Sequence, residues 1–169
     1  MISFNKSLFE ESGKKDIQIP EDCDIVFVAD MFSSDYMGGA ELTTDSLINE
    51  SPLSVFRLHS KDVDLNLLEM GVGKFWIFGN FSNLDMNLIP SIVSNMKYAI
   101  LEYDYKYCRY RSPEKHLFSE NTPCDCHNQI HGKIISAFMH GAKSLWWMSE
   151  LQMQKYHQIF PFLEENDNT

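Results

Sequence analysis

Short apolar runs recur along this chain, each followed by a polar or glycine-containing break and then by residues at helical spacing. Ile25–Ala29 is the first such run, and its lack of alternation predicts a strand buried on both faces. Ser54–His59, Lys74–Phe78, Lys97–Glu102 and Lys143–Met148 predict further strands. Between them, Gly39–Asn49 predicts a helix with Ala40, Thr44, Leu47 and Ile48 on one face, and Asp62–Met70 a short one with Asp62 near its start. The stretch around Leu84–Asn95 predicts a third, short helix, with Pro90 marking its first turn rather than its middle because proline has no amide to donate. Ile130, Ile134, Ile135, Phe138 and Met139 mark a strong amphipathic helix, and Glu150–Phe160 a last one ending at Pro161.

Strands alternating with helices imply right-handed crossovers, so the expected fold is α/β: doubly wound around a mainly parallel sheet, with a ligand crevice at the strands' carboxyl ends. The Rossmann-like domain is expected over 23–163, after an irregular arm over 1–22 and before an acidic tail or linker stub over 164–169. From Asp104 to about His127 there is no clean period, which predicts a long loop of the kind that usually carries function.

A length of 169 residues fits the core of one domain. The net charge of −10 argues against a nonspecific grip on nucleic acid or an anionic membrane, so any anion site must be local. No run approaches the length of a membrane span, and MISFNKSLFEESGKK lacks the apolar centre of a signal peptide, so a cytoplasmic protein is expected. The four cysteines are then expected to be reduced, metal-bound or buried more readily than disulfide-paired.

A candidate anion site lies at Gly38 and Gly39, after the first strand and at the start of a helix. Glycine lets a ligand approach the backbone, and free amides with the positive end of the helix dipole favour phosphate or carboxylate. A turn that merely packs helix on strand would read the same way. In the long loop, Lys106, Arg109 and Arg111 interleave with Tyr103, Tyr105, Tyr107 and Tyr110. Arginine forks suit anions and tyrosines stack on sugar faces, so Tyr105, Arg109 and Arg111 are candidates for an acceptor groove; a packed tyrosine-rich loop with solvated arginines is the alternative. Cys108, Cys124, Cys126 and His131 offer the donor types of a tetrahedral structural zinc site, although CDCH is not a paired-cysteine knuckle and reduced buried cysteines or a disulfide fit as well. Trp146 and Trp147 fall on opposite faces of the fifth strand.

GGAE after the first strand, WIFGNF at Trp76–Phe81, LEYDY at Leu101–Tyr105 and the ending WWMSELQMQKYHQIFPFL together resemble the N-terminal half of a family 4 glycosyltransferase, over about residues 23–163. The resemblance implies one of the two Rossmann-like domains of a GT-B enzyme, which needs no catalytic metal. It implies that this half receives the sugar or glycoconjugate acceptor, while the turn at Gly38, Gly39, Ala40 and Glu41 faces the diphosphate of a nucleotide sugar. That family often places a histidine after the fourth strand; here the chain reads Glu102, Tyr103, Asp104, so Asp104 becomes the candidate catalytic carboxylate, with Asp104 capping a turn and Glu102 in solvent as the plainer reading. The family's donor-binding second domain has no counterpart in this sequence. The expectation is therefore a half that is inactive alone and completed by a missing domain or a partner chain; the competing reading is a non-enzymatic binding or assembly domain, zinc-stabilised or homodimeric.

Overall fold

The computed structural model describes residues 17–166. Its strands are β1 (Ile25–Ala29), β2 (Val55–His59), β3 (Phe75–Phe78), β4 (Lys97–Glu102) and β5 (Ser144–Trp147). The helices are α1 (Gly39–Glu50), α2 (Leu65–Met70), α3 (Ile89–Asn95), α4 (Pro113–Glu120), α5 (Ile130–Gly141) and α6 (Glu150–Ile159). The five strands form one sheet in the order β2-β1-β3-β4-β5, and every pairing is parallel. This is the doubly wound α/β architecture expected from the apolar runs. The strand order reverses between β1 and β3, and the loops leaving their carboxyl ends part there, which is where such sheets take ligands.

Side-chain alternation divides the core in two. Val26, Val28, Trp76, Phe78, Tyr98, Ile100 and Leu145 face the larger cluster, where they meet Leu67 and Leu68 of α2, Ile92 of α3, Phe138 and Met139 of α5 and Tyr156 of α6. Phe27, Ala29, Ile77 and Leu101 face the smaller cluster, which Ile48 of α1 joins. The aromatic residues of the larger cluster lock together: the Phe138 ring lies 5.1 Å from Phe78, 5.3 Å from Phe81 and 5.0 Å from Tyr98. Tyr98 carries a polar tip into this core and satisfies it by donating to the Phe138 carbonyl at 2.6 Å.

The helix boundaries follow capping chemistry. Asp64 accepts from the Leu67 amide and starts α2, so the expected start at Asp62 is corrected: Asp62 ends a separate 3-10 turn, Ser60–Asp62. Pro90 sits in the first turn of α3 as expected. Ser149 caps α6 by accepting from Gln152. Both ends of α5 press against neighbours: a Cβ at Gly132 would lie 2.2 Å from the Cys126 carbonyl oxygen, and one at Gly141 2.5 Å from the Tyr98 hydroxyl.

The expected loop from Asp104 to His127 is corrected, because α4 lies inside it. Ser112 accepts from the Lys115 amide, Pro113 takes the first position, and Asn121 ends the helix in the left-handed region at φ 54°. Of the expected arm, residues 1–16 lie outside the described residues, while Ile19 is buried in the core. Of the expected tail, 164–166 continue a 3-10 turn and 167–169 lie outside the described residues. Among the described residues no helix is long and apolar enough to cross a membrane.

Candidate functional site

At the carboxyl edge of the sheet, one carboxylate ties the loops together. Asp30, at the end of β1, accepts from the hydroxyl of Ser60 after β2 and from the amides of Ser82 and Asn83 after β3, at 2.9 and 3.0 Å. Burial opposes its charge, but these hydrogen bonds outweigh burial and hold the Asp30 carboxyl below its ordinary value. Arg111, beyond β4, reaches the same point. Its Nη1 lies 3.7 Å from Asp30, its Nη2 donates to Asn80 at 2.7 Å, and its Nε pairs with Asp104 at 2.6 Å. Arg111 itself is in the left-handed region at φ 55°, a conformation costly for a non-glycine residue and held here by this set of partners.

Deeper in, Glu102 is 0% exposed at the end of β4. The reading of Glu102 as solvated is therefore corrected, and the strand's parity explains it: Glu102 shares a face with Tyr98 and Ile100. Its Oε1 accepts from Lys106 Nζ and from the Asp104 amide, each at 3.0 Å, while its Oε2 is buried without a hydrogen-bond partner. Burial pushes the Glu102 carboxyl up to about 7, against the attraction of Lys106. The Lys106 ammonium also lies 5.2 Å from the centre of the Phe81 ring. Asp30 has no role in the sequence reading, and the alternation of β4 was the signal available for the burial of Glu102.

A cavity of about 260 Å³ opens beside this network. Phe81, Met86 and Ile135 supply apolar wall, and Ser82, Lys106, Arg109, Arg111 and His131 supply polar groups. The cationic patch expected from YDYKYCRYR is substantially neutralised within the protein. Lys106 pairs with Glu102, Arg111 with Asp104, and Arg109 with Glu120 at 2.6 Å. Tyr105 stacks on Tyr156 at 5.9 Å and is not among the residues lining this cavity, whereas Arg109 and Arg111 are. Asp104 is half-buried and joins the cavity through Arg111.

The glycine pair begins α1 as expected, with Gly38 at the N-cap and Gly39 at the first helical position. Gly38 makes no side-chain cap, and a Cβ there would lie 2.8 Å from the Tyr36 ring and 2.4 Å from a carboxylate oxygen of Glu41. Glu41 thus folds back over the helix start, where its charge meets the positive end of the helix dipole. Gly39 has no neighbour within 4 Å of a built Cβ, so the backbone there is open to approach, with Ala40 next to it half-buried. Thr44 of α1 and Tyr103 after β4 join this helix to the network through hydroxyls 2.6 Å apart.

On the other side of the Tyr105–Arg111 turn, Cys108, His116, Cys124 and Cys126 converge, with ligand atoms all within 4.8 Å of one another. His116 Nδ1 lies 3.5 Å from the Cys126 sulfur and 3.8 Å from that of Cys108. Three thiols and an imidazole are a donor set that can hold a metal ion such as zinc. Burial pushes the Cys124 thiol up to about 12, whereas a divalent cation bound beside it would stabilise the thiolate instead. His131 is corrected out of the expected ligand set. It stands 2.8 Å from the Lys106 carbonyl, an acceptor, so Nε2 carries the proton and donates. The four cysteines are free thiols.

No known protein family, curated protein or solved structure matches this chain. The functional reading therefore rests on the site itself.

Proposed function

We propose that this chain is the acceptor-side domain of a nucleotide-sugar-dependent glycosyltransferase, completed by a donor-binding domain supplied in the same polypeptide or by another chain. The observation that carries it is the gathering, at the carboxyl edge of one parallel sheet, of an open glycine helix start and a cavity with apolar wall and polar rim. A sugar ring has apolar C–H faces and a hydroxyl perimeter, which suits a cavity lined by Phe81, Met86 and Ile135 together with Ser82, Arg109 and His131. In this reading Asp104, oriented by Arg111, accepts from the attacking hydroxyl, and the backbone at Gly39 approaches the donor's diphosphate with Glu41 swinging aside. No metal takes part in this chemistry; we assign the Cys and His group a structural zinc, in a cytosolic setting that keeps its thiols reduced.

Amide-resolved NMR titration with neutral mono- and disaccharides, and separately with nucleotide sugars, tests the reading. Saccharides are expected to shift the amides of Ser82, Arg109, Arg111 and His131, and the chain alone is expected to turn over no nucleotide sugar. Shifts confined to surfaces away from the cavity, or turnover by this chain unaided, would overturn it.

A second reading, an assembly domain, has its own observation. The α1 side of the sheet holds a cavity of about 440 Å³ lined by Phe27, Leu47, Ile48, Ile77 and Trp146, and Trp146 is 37% exposed. A tight dimer in sedimentation equilibrium that Trp146→Lys dissociates would favour it.

A further inference from the structure

Between Arg109 and Gln129, only His116 and Cys126 are fully buried. The segment contains a two-turn helix, yet the apolar residues of that helix point outward: Leu117 is exposed and Phe118 is 92% exposed. A helix as short as α4 is marginal in water unless tertiary packing holds it. The side chain α4 does bury is His116, and it buries it against sulfur, with the Tyr110 ring edge-on at 5.4 Å. The remaining ties of α4 are polar and at the surface: Arg109 and Tyr110 to Glu120, and Lys155 to Glu114 at 3.0 Å. Exposed pairs of this kind contribute little.

We infer that the cluster of Cys108, His116, Cys124 and Cys126 is a zinc site that serves as the core of the 109–125 excursion, so that metal uptake folds α4 and sets the Arg109–Arg111 wall of the ligand cavity. The zinc binds three thiolates and His116 Nδ1, and the protons of the three thiols pass to solvent as the bonds form. A tetrahedral site has ligand-to-ligand edges of about 3.3–3.8 Å, so the group contracts by about 1 Å at its widest on closing. Cys108 lies in the turn closed by the Cys108 amide on the Tyr105 carbonyl and the Arg111 amide on the Cys108 carbonyl, at 2.9 and 2.8 Å. It also lines the cavity, so one residue belongs to both sites. Gly132 completes the arrangement by letting the first turn of α5 touch the Cys126 backbone. This inference extends the structural-zinc assignment above and is independent of the transferase reading, because its test involves no saccharide.

The test begins with elemental analysis of the whole chain, purified reduced and without a metal-affinity step. About one zinc per chain is expected, with cobalt substitution giving the strong visible bands of a tetrahedral thiolate-rich site and their loss on back-titration with zinc. His116→Ala should lose most of the zinc after dialysis against a chelator, while His131→Asn retains it. Hydrogen exchange of the wild-type chain then reads the folding claim: chelation should deprotect amides of 113–120 and leave those of β1, β3 and β4 unchanged. A chain that binds neither zinc nor cobalt when reduced, or equal retention in the His116 and His131 variants, would overturn the site. Unchanged protection of α4 in the metal-free chain would overturn the claim that the ion is its core.

Discussion

Glu102 makes the stability of this domain depend on pH in a direction opposite to that of an ordinary acidic residue. Its carboxyl titrates at about 7 in the folded chain, chiefly because burial penalises the charge, against a reference of 4.5 in the unfolded chain. The folded state therefore holds a proton that the unfolded state gives up between those values. The stability associated with that proton is fully present below pH 4.5 and is lost as pH rises through 7. Across that gap, at about 1.4 kcal/mol per pH unit, the loss is about 3 kcal/mol. Glu102→Gln removes the titration while keeping an oxygen for the Lys106 ammonium and the Asp104 amide, and its NH2 takes the place of the unpartnered Oε2. The variant carries its own fixed cost from replacing a buried carboxyl by an amide, so the informative quantity is how the difference from wild type changes with pH. Urea unfolding of both proteins from pH 4.5 to 8 is the assay, and the variant should gain on wild type by about 3 kcal/mol over that span. A difference that stays flat across the range would refute the assignment of a raised carboxyl and, with it, the view of Glu102 as a buried, proton-holding group.

Three further outcomes follow from other contacts. Asp30→Ala removes the acceptor for Ser60, Ser82 and Asn83 and should cost about 2–3 kcal/mol in urea unfolding; because the Asp30 carboxyl is held below its ordinary value, the deficit should be present above pH 3.8 and shrink as the medium is acidified below it. Tyr98→Phe strips the Phe138 carbonyl of a buried donor and should lower stability by about 1–2 kcal/mol without altering zinc content. Gly132→Ala, whose new methyl meets backbone atoms that cannot rotate away, should displace Cys126 and weaken zinc retention, read as faster release to a chromogenic chelator.

The three central strands were readable because each is built on an apolar run, IVFVA in β1, FWIF in β3 and YAIL in β4, and such a run is satisfied by burial on both faces. The carboxyl-edge site was partly readable for the same reason, since fixing the strand ends fixes which loops gather there. α4 escaped because its faces are polar apart from outward Leu117 and Phe118, so no period marks it; the Ser112-Pro113-Glu114 start was the available signal. Missing that helix also misdirected the choice of histidine. His131 stands closer to Cys126 in sequence, but α5 turns it toward the Lys106 carbonyl, and α4 is what delivers His116 to the sulfurs. The ion pairing of Lys106, Arg109 and Arg111 lay beyond any local pattern, because Glu102, Asp104 and Glu120 reach them through the folded loop.

The tight seating of α5 at Gly132 and Gly141 has a mechanical consequence. A rod wedged at both tips cannot slide along its axis or roll without one tip colliding, at one end with the Cys126 backbone and at the other with the Tyr98 hydroxyl. A shift of the Cys126 backbone itself, unlike a loss of order confined to α4, would therefore bear directly on the start of this helix. Loosening either end alone should set the opposite end in motion.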